Sequence, residues 1–297
     1  SLPDMREQEW RARAQAHADR VAPWVRDRLD RRALGRGHPV RDFMFDYYPY
    51  SPAKLATWHP GVGVVLEGTS ARAFLQHAGY GEVDDGVTVD PAALAGRRQR
   101  LDTALAVLEG TSSRPAATGC FALHEWAMVL GQSQEQVRHS GLPLRLGPAQ
   151  VASTIDEVGL RCTHIDAYRF FTPEAMPLNA LAPTRATQAM LDQPGCLHAS
   201  MDLYKYASWF SPWVSSELIA DCFENAMHAR ELDMRASPYD VSGFGLKPIR
   251  VETPEGRREY TALQRDLIDG TVPLRARVTQ ALMILREALP AVPSPVP

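Results

Sequence analysis

The chain has 297 residues, of which 45% are apolar and 23% charged; this composition excludes disorder over most of its length. Its formal net charge of −3 excludes a strongly basic nucleic-acid-binding surface over the whole chain. No uninterrupted apolar run of about 18 residues predicts a transmembrane helix, and residues 1–10 carry no apolar segment typical of a secretion signal, so the expected location is cytoplasmic.

The N-terminal region, residues 1–37, is predicted to be helical. Apolar side chains recur at helical spacing from Met5 to Arg32, and Pro23 is expected to kink or split this helix. Residues 38–68 are dense in aromatic and proline residues and predict an irregular but ordered segment. The GVGVV run at 61–65 lacks the third glycine of a dinucleotide-binding fingerprint, so it does not predict such a site.

The middle of the chain mixes helical and irregular signals. Asp90 and Pro91 are typical of a helix start, with leucines at helical spacing as far as Gly110. Further helices are predicted over about 121–130 and over 148–158. Periodicity does not decide whether residues 160–171 form a strand or a buried extended segment, and three prolines predict a loop over 172–183.

The C-terminal half is predicted to be helical throughout. The predicted helices cover residues 184–192, 199–210, about 216–234 after a serine cap at 215 or 216, 254–268 and 272–289. The Pro-rich tail, residues 291–297, is predicted to be frayed. The fold class is therefore mainly α, with a single compact helical domain over residues 38–290, an irregular aromatic-rich N-terminal segment and few short strands.

The chain contains four cysteines and a block of histidines that lie close to acidic residues. Cys120, Cys162, Cys196 and Cys222 form no C-x-x-C pair, so they are expected to be reduced and mostly buried. The four histidine–acid pairs are His124–Glu125, His164–Asp166, His198–Asp202 and Glu224–His228. Such pairs are typical of metal chelation, or of a histidine that an acid orients as a general base.

Each pair also has a purely structural interpretation. His124 lies in an apolar run and is expected to be buried, where it needs a partner. His198 should sit at a helix N-terminus, where the helix dipole favours the neutral ring. His228 lies on a polar stripe that is equally typical of a solvated helix face. If a common site explains the pairs, at least three of the four histidines should line one shared cavity.

Substrate contacts are predicted for aromatic and basic residues near these pairs: Tyr48, Trp58, Tyr168, Tyr204, Lys205 and Arg235. The aromatic cluster around Tyr48 and Trp58 favours either stacking on a flat ligand or simple core packing. Asp233 and Arg235 close the long helix, where they predict either a locked turn or an anion clamp.

The segments FMFDYYPYSPAKLATWHPG, CFALHEWAMV, LRCTHIDAYRFFTPEAMPLNAL and the stretch from QPGCLHASMDLYKYASWF to RASPYD carry a family resemblance. Over roughly residues 38–278 the chain resembles actinobacterial proteins labelled 3-methyladenine DNA glycosylase. The L-P-G-(I/V)-G hairpin of helix-hairpin-helix glycosylases is absent. For that reason, no catalytic residue is transferred from that superfamily.

Two enzyme functions are therefore weighed, beside a helical binding protein without catalysis. The first, implied by the resemblance, is an N-glycosylase-type hydrolase of a modified purine base, nucleoside or DNA lesion. Its candidate catalytic residues are His124, Glu125, His164, Asp166, His198 and Asp202. Its expected partners are a small-molecule or nucleobase-containing substrate, with weak DNA binding and no membrane.

The alternative is a metal-dependent enzyme acting on a small molecule, with iron or zinc as the cofactor. Its candidate ligands are His124, His164, His198, His228 and Glu224, with Asp202 as a further carboxylate.

Overall fold

The computed structural model describes residues 2–139 and 141–289, and it confirms the predicted mainly α-helical architecture. The α-helices of this part of the chain are α1 (Glu7–Ala33), α2 (Phe43–Tyr47), α3 (Pro52–Ala56), α4 (Arg98–Ser112), α5 (Leu123–Ala127), α6 (Pro148–Val158), α7 (Ile165–Tyr168), α8 (Gln188–Leu191), α9 (Leu197–Trp209), α10 (Ser216–Ala236) and α11 (Pro254–Ala288). Short 3₁₀ helices cover Thr69–Gln76, Pro91–Arg97, Met176–Leu178 and Ser242–Phe244.

A small sheet lies near the N-terminus. Its strands are β1 (Asp4–Met5), β2 (Val65–Leu66), β3 (Tyr80–Val83) and β4 (Gly86–Val89), in the order β1-β2-β4-β3. β1 pairs parallel to β2, while β4 is antiparallel to both β2 and β3. The sheet supports a second, smaller hydrophobic cluster, whose buried members are Met5, Trp10, Trp58, Leu66, Ala71 and Val87.

Helix α9 is the centre of the main hydrophobic core. Every residue from Leu197 to Ser208 is buried, although the segment includes His198, Asp202 and Lys205. α9 packs against α10 and α11, so its polar side chains can be satisfied only by partners inside the protein. This placement brings the histidine-rich middle of the chain into the core.

Two prolines lie inside continuous helices, so neither the split considered at Pro23 nor the break predicted between residues 268 and 272 occurs. α1 runs through Pro23, and α11 runs through Pro273 as one helix of 35 residues where two were predicted. A proline removes one backbone hydrogen bond, but the buried face of α11 continues from Thr271 to Leu274 and Val278. Burial of that face stabilises the helix by more than the loss of one backbone hydrogen bond destabilises it.

The segment 160–171 is neither a strand nor fully extended. Leu160 forms one isolated bridge with Asn179, and His164 caps the short helix α7 by accepting a hydrogen bond from the Asp166 N–H. The helix predicted over 121–130 is shortened to α5, since Phe121 and Ala122 adopt positive φ angles of 48° and 57° just before it. The predicted tail, residues 291–297, lies outside the described residues.

Helix α1 lies against α10 and is joined to it by a row of ion pairs. Arg13 contacts Glu217 at 2.8 Å, and Arg20 contacts both Asp221 and Glu224 at 2.7 Å. The buried residues of α1 are Trp10, His17 and Val21. In the described part of the chain, none of the helices has the length and apolar character needed to cross a membrane.

Candidate functional site

Three of the four predicted histidines meet in the core. The ring centroids of His124 and His198 lie 4.7 Å apart, and those of His164 and His198 lie 5.5 Å apart. α5 supplies His124, the cap of α7 supplies His164, and the first turn of α9 supplies His198. All three are buried, whereas His228 is exposed on α10, so the three rings form a buried cluster that excludes His228.

The first group of potential metal ligands is His124, His198 and Asp233, whose donor atoms lie within 4.8 Å of one another. The Nε2 atom of His124 lies 2.6 Å from Oδ1 of Asp233, and its Nδ1 lies 3.7 Å from the Cys120 sulfur. Burial lowers the pKa of His124, but the Asp233 carboxylate outweighs this effect and raises it well above the usual value. Asp233 therefore holds His124 as one half of a buried ion pair.

Arg230 joins Asp233 to a second carboxylate. Its Nη1 donates to Glu125 at 2.8 Å and to Asp233 at 2.9 Å, and its guanidinium lies 4.0 Å from the Phe43 ring centroid. Burial raises the pKa of Glu125, but Arg230 and His124 outweigh this effect and lower it to about 2. Glu125 is thus an ionised partner of Arg230.

The second group of potential ligands is His164, Asp192 and Asp202. The Nε2 atom of His164 lies 3.2 Å from Oδ2 of Asp202 and 3.3 Å from Oδ2 of Asp192. The amide nitrogen of Gln188 lies 2.9 Å from the same Asp192 oxygen and 3.3 Å from the same His164 nitrogen. Four side chains from three short segments thus converge on one point.

Asp202 is held ionised by its neighbours. It accepts hydrogen bonds from the Tyr48 hydroxyl at 3.2 Å and from the Lys205 ammonium. Burial raises its pKa, but Lys205 and His164 outweigh this effect and lower the pKa below the usual value. Burial also raises the pKa of Asp192, so the two carboxylates of this group differ in acidity.

His198 belongs to the first group, its ring also lies beside His164 of the second group, and it is the least satisfied of the three histidines. Its Nδ1 is buried and has no hydrogen-bond partner among the described residues. Burial, together with the neighbouring His124 and His164, lowers its pKa well below the usual value. The predicted neutral ring is therefore found, but burial and not the helix dipole is its main cause.

The structure changes every histidine–acid pairing that sequence proximity suggested. His124 binds Asp233 in place of Glu125, and Asp202 binds His164 in place of His198. A helix places residues i and i+4 on one face, but their side chains then turn to the strongest partner that packing brings near.

Asp166 and Glu224 likewise bind arginines instead of histidines. Asp166 binds Arg185 and also contacts Lys205 at 3.5 Å. Glu224 binds Arg20 on α1 and has no part in the buried cluster, which excludes Glu224 and His228 as ligands of this site.

The predicted substrate-binding residues are dispersed. Tyr48 and Lys205 touch Asp202, and Tyr204 is fully buried with a hydroxyl that has no partner among the described residues. Trp58 belongs to the small second hydrophobic cluster, where its Nε1 donates to Glu217.

Two further predicted contacts lie apart from the histidines. The Tyr168 ring packs on Phe171 at 5.2 Å. Arg235 binds the Lys247 carbonyl and, with the exposed His228, lines a separate cavity of about 340 Å³. The anion clamp predicted for Asp233 and Arg235 is absent, since Asp233 points into the core.

Sequence reasoning missed Asp192, Gln188 and Arg230 and gave Asp233 the wrong role. A signal for Arg230 and Asp233 exists, because they continue the apolar face of α10 at helical spacing from Phe223 and Ala226. Charged residues on a buried helix face need partners, and this requirement predicts a polar cluster. Asp192 and Gln188 flank a four-residue helix that offers no such periodicity.

A cavity of about 450 Å³, within the range of small-molecule sites, is connected to this cluster only through neighbouring side chains, since none of its described lining residues belongs to the two ligand groups. Phe43 and Tyr47 line it, stacked at 5.0 Å with an angle of 9° between their rings. Phe43 also contacts Arg230, and Tyr47 packs on Tyr48. One ring pair therefore separates the cavity from the residues that hold Asp233 and Asp202.

Comparison with known proteins adds no assignment. No protein-family model matches the chain, and neither curated proteins nor solved structures give a significant match. The function has to be argued from the site itself.

Proposed function

We propose that the buried histidine–aspartate cluster is a metal centre and that the chain is a metal-dependent enzyme acting on a small molecule. The observation that carries the proposal is the pair of distances from His164 Nε2 to Asp202 Oδ2 and Asp192 Oδ2, 3.2 and 3.3 Å. Two ligands bound at about 2.1 Å in a tetrahedral arrangement stand about 3.4 Å apart. The donor atoms are therefore spaced as ligands of one ion, which would take the place of the proton on His164 Nε2, since Nδ1 accepts a hydrogen bond from the Asp166 N–H.

The donor chemistry supports a borderline transition metal. Imidazole nitrogens and carboxylate oxygens together suit zinc or iron, whereas magnesium and calcium prefer oxygen ligands alone. The unpartnered Nδ1 of His198 is a further argument, since a neutral buried imidazole is the form that binds a metal. Asp233 and His124 complete a second group of potential ligands beside the first, in which a metal would replace the proton that lies between His124 and Asp233.

The surrounding residues fit the supporting roles of a metal site. Tyr48 and Lys205 orient Asp202, while Arg230 orients Asp233. A bound divalent ion lowers the pKa of a bound water to about 7 and so supplies hydroxide at neutral pH. The cavity behind Phe43 and Tyr47 is the place from which a flat or aromatic substrate would approach.

The experiment is metal analysis of the purified protein by mass spectrometry, followed by titration of the metal-free protein with Zn²⁺ and Fe²⁺. We expect stoichiometric metal in the wild type and loss of most of it in His164→Ala and Asp192→Asn. The exposed His228→Ala is the matched control and should retain the metal. Substoichiometric metal in the wild type after growth with added zinc and iron, together with weak binding in the titration, would overturn the proposal.

The N-glycosylase function remains a second candidate, and one observation favours it. Asp202 is ionised and buried beside Tyr48, and an oxocarbenium-like centre requires such a carboxylate. The stacked Phe43 and Tyr47 rings would suit a purine base. Release of a methylated base by metal-free protein, abolished in Asp202→Asn, would support this function and exclude the first.

A further inference from the structure

A second cavity, of about 550 Å³, lies at the C-terminal end of α9. Its described lining includes basic but no acidic residues, whereas the first cavity is lined by both. Lys54, Arg97 and Arg100 line the second cavity together with His59 and His77. Cavities lined by one sign of charge concentrate the electrostatic field and attract ligands of the opposite sign. The proposed metal centre does not account for this feature.

The three cations of this cavity are not neutralised by the protein. Many other arginines of the protein bind carboxylates, as Arg20 does with Asp221 and Glu224. Within residues 2–139 and 141–289, Lys54, Arg97 and Arg100 form no ion pair with an acidic side chain. Three uncompensated charges around one concave space indicate an anionic ligand.

Neutral groups hold the two arginines in place. Arg97 donates to the Trp209 carbonyl at 3.0 Å and lies 5.3 Å from the Trp213 ring centroid. Arg100 lies 5.1 Å from the ring centroid of Trp209. Aromatic rings and a carbonyl thus fix the two arginines without using all of their guanidinium N–H groups. The remaining N–H groups stay available in the planar arrangement that suits phosphate.

The remaining lining supplies hydroxyl and ring groups. Tyr50 and Ser211 hydrogen-bond to each other at 3.1 Å, and His59 packs edge-on against His77 at 5.1 Å. Trp209 and Pro212 add apolar surface to the same cavity. A ligand that carries both an anionic group and an apolar or aromatic group would fill this space better than an inorganic ion.

We propose that this cavity binds a phosphate-bearing small molecule, with Lys54, Arg97 and Arg100 on the phosphates and the ring system near Trp209. Two linked phosphates would neutralise most of the three fixed charges. The proposal is independent of the metal centre, since the two sites share no lining residue with a ligand role.

The test uses ADP as the probe and adenosine as its uncharged counterpart, with calorimetric titration of the full chain. We expect ADP to bind at least about tenfold more tightly than adenosine, since hydrogen bonds to charged groups are the strong ones. The double variant Arg97→Gln/Arg100→Gln should weaken ADP binding at least about tenfold and leave adenosine binding unchanged. Arg265→Gln, which removes an exposed arginine elsewhere, should bind ADP like the wild type.

Because the three cations are not buried, the variants should fold, and a thermal melt checks this. Equal affinity for ADP and adenosine, absence of ADP binding, or unchanged ADP binding in the double variant would each overturn the proposal. A short DNA duplex that displaces ADP with higher affinity would overturn it as well, by assigning the cations to a nucleic-acid backbone.

Discussion

Arg230 and Glu125 form a buried ion pair between helices α10 and α5, with Nη1 of Arg230 lying 2.8 Å from Oε1 of Glu125. The two side chains are 1% and 5% exposed, and the residues are 105 positions apart in sequence. Because Arg230 also binds Asp233, one guanidinium ties together the acids on both sides of His124. The network is therefore as important for the fold as for the site.

Removing Arg230 should be strongly destabilising. In Arg230→Met, Glu125 remains buried without its counter-ion and Asp233 keeps only His124, so we expect a loss of about 3–5 kcal/mol in the free energy of unfolding. Urea denaturation followed by circular dichroism measures this loss. The matched control is Arg258→Met, which removes the exposed pair with Glu255 and should leave the stability nearly unchanged. Equal effects of the two variants would contradict the prediction.

Tyr48 should act on the proposed metal centre through Asp202. Its hydroxyl lies 3.2 Å from Oδ1 of Asp202, so Tyr48→Phe removes one hydrogen bond that orients this carboxylate. We expect metal affinity to fall about 10–100-fold, as is usual for such supporting residues. A competition titration with a chromogenic chelator measures the affinity. Tyr50→Phe, whose hydroxyl binds Ser211, should leave the affinity unchanged.

Asp42 should make stability depend on pH in the acid range. Burial raises its pKa, but the Arg31 guanidinium and the His38 N–H outweigh this effect and lower it below the ordinary value. A lowered folded pKa contributes stability that is complete above the unfolded value of about 3.9 and is lost as pH falls through the folded value.

We therefore expect Asp42→Asn to lower the free energy of unfolding by about 1–3 kcal/mol at neutral pH. The difference between variant and wild type should shrink steadily as the pH is lowered. Denaturation at a series of acid pH values tests this, and a difference that stays constant into strong acid would refute the assignment.

Binding to duplex DNA should be weak. The chain is net acidic, and many of its arginines are already paired, as Arg28 and Arg31 are with Asp42. At about 150 mM salt we expect a Kd in the non-specific range, about 10⁻⁴–10⁻⁶ M. A fluorescence anisotropy titration with intact and methylated duplexes measures it. Tight binding that prefers the methylated duplex would support action on DNA lesions.

Helix boundaries were predicted correctly where the sequence carries residues typical of a helix start or a helix end. α6 begins and ends as predicted, because Pro148 follows Gly147 at its start and Gly159 follows at its end. A kink or split was predicted at Pro23 and a break between 268 and 272; neither the split nor the break occurs, because tertiary packing of the buried faces outweighs one lost hydrogen bond.

Three histidines of the buried cluster and the carboxylate of Asp202 were predicted from the sequence, whereas Asp192 and the role of Asp233 were not. His124 was predicted because a polar residue in an apolar run needs an internal partner, and His198 because it lies at a predicted helix N-terminus with Asp202 one turn later. Their partners are set by long-range packing, as the 109 positions between His124 and Asp233 show. Sequence proximity therefore favoured Glu125, which binds Arg230 instead.

The contacts that attach α1 to α10 determine how easily α1 separates from the helices beneath it. Its contact with α10 combines the ion pairs of Arg13 and Arg20 with the packing of Trp24 on Phe223 at 5.8 Å, while Trp10, His17 and Val21 are its buried residues. Salt screens half-exposed charges far more than it weakens an apolar core. Raising the salt concentration should therefore weaken the attachment of α1, and its backbone amides should exchange with solvent well before those of the helices beneath it. Ionic strength would then determine how often α10 is exposed to solvent.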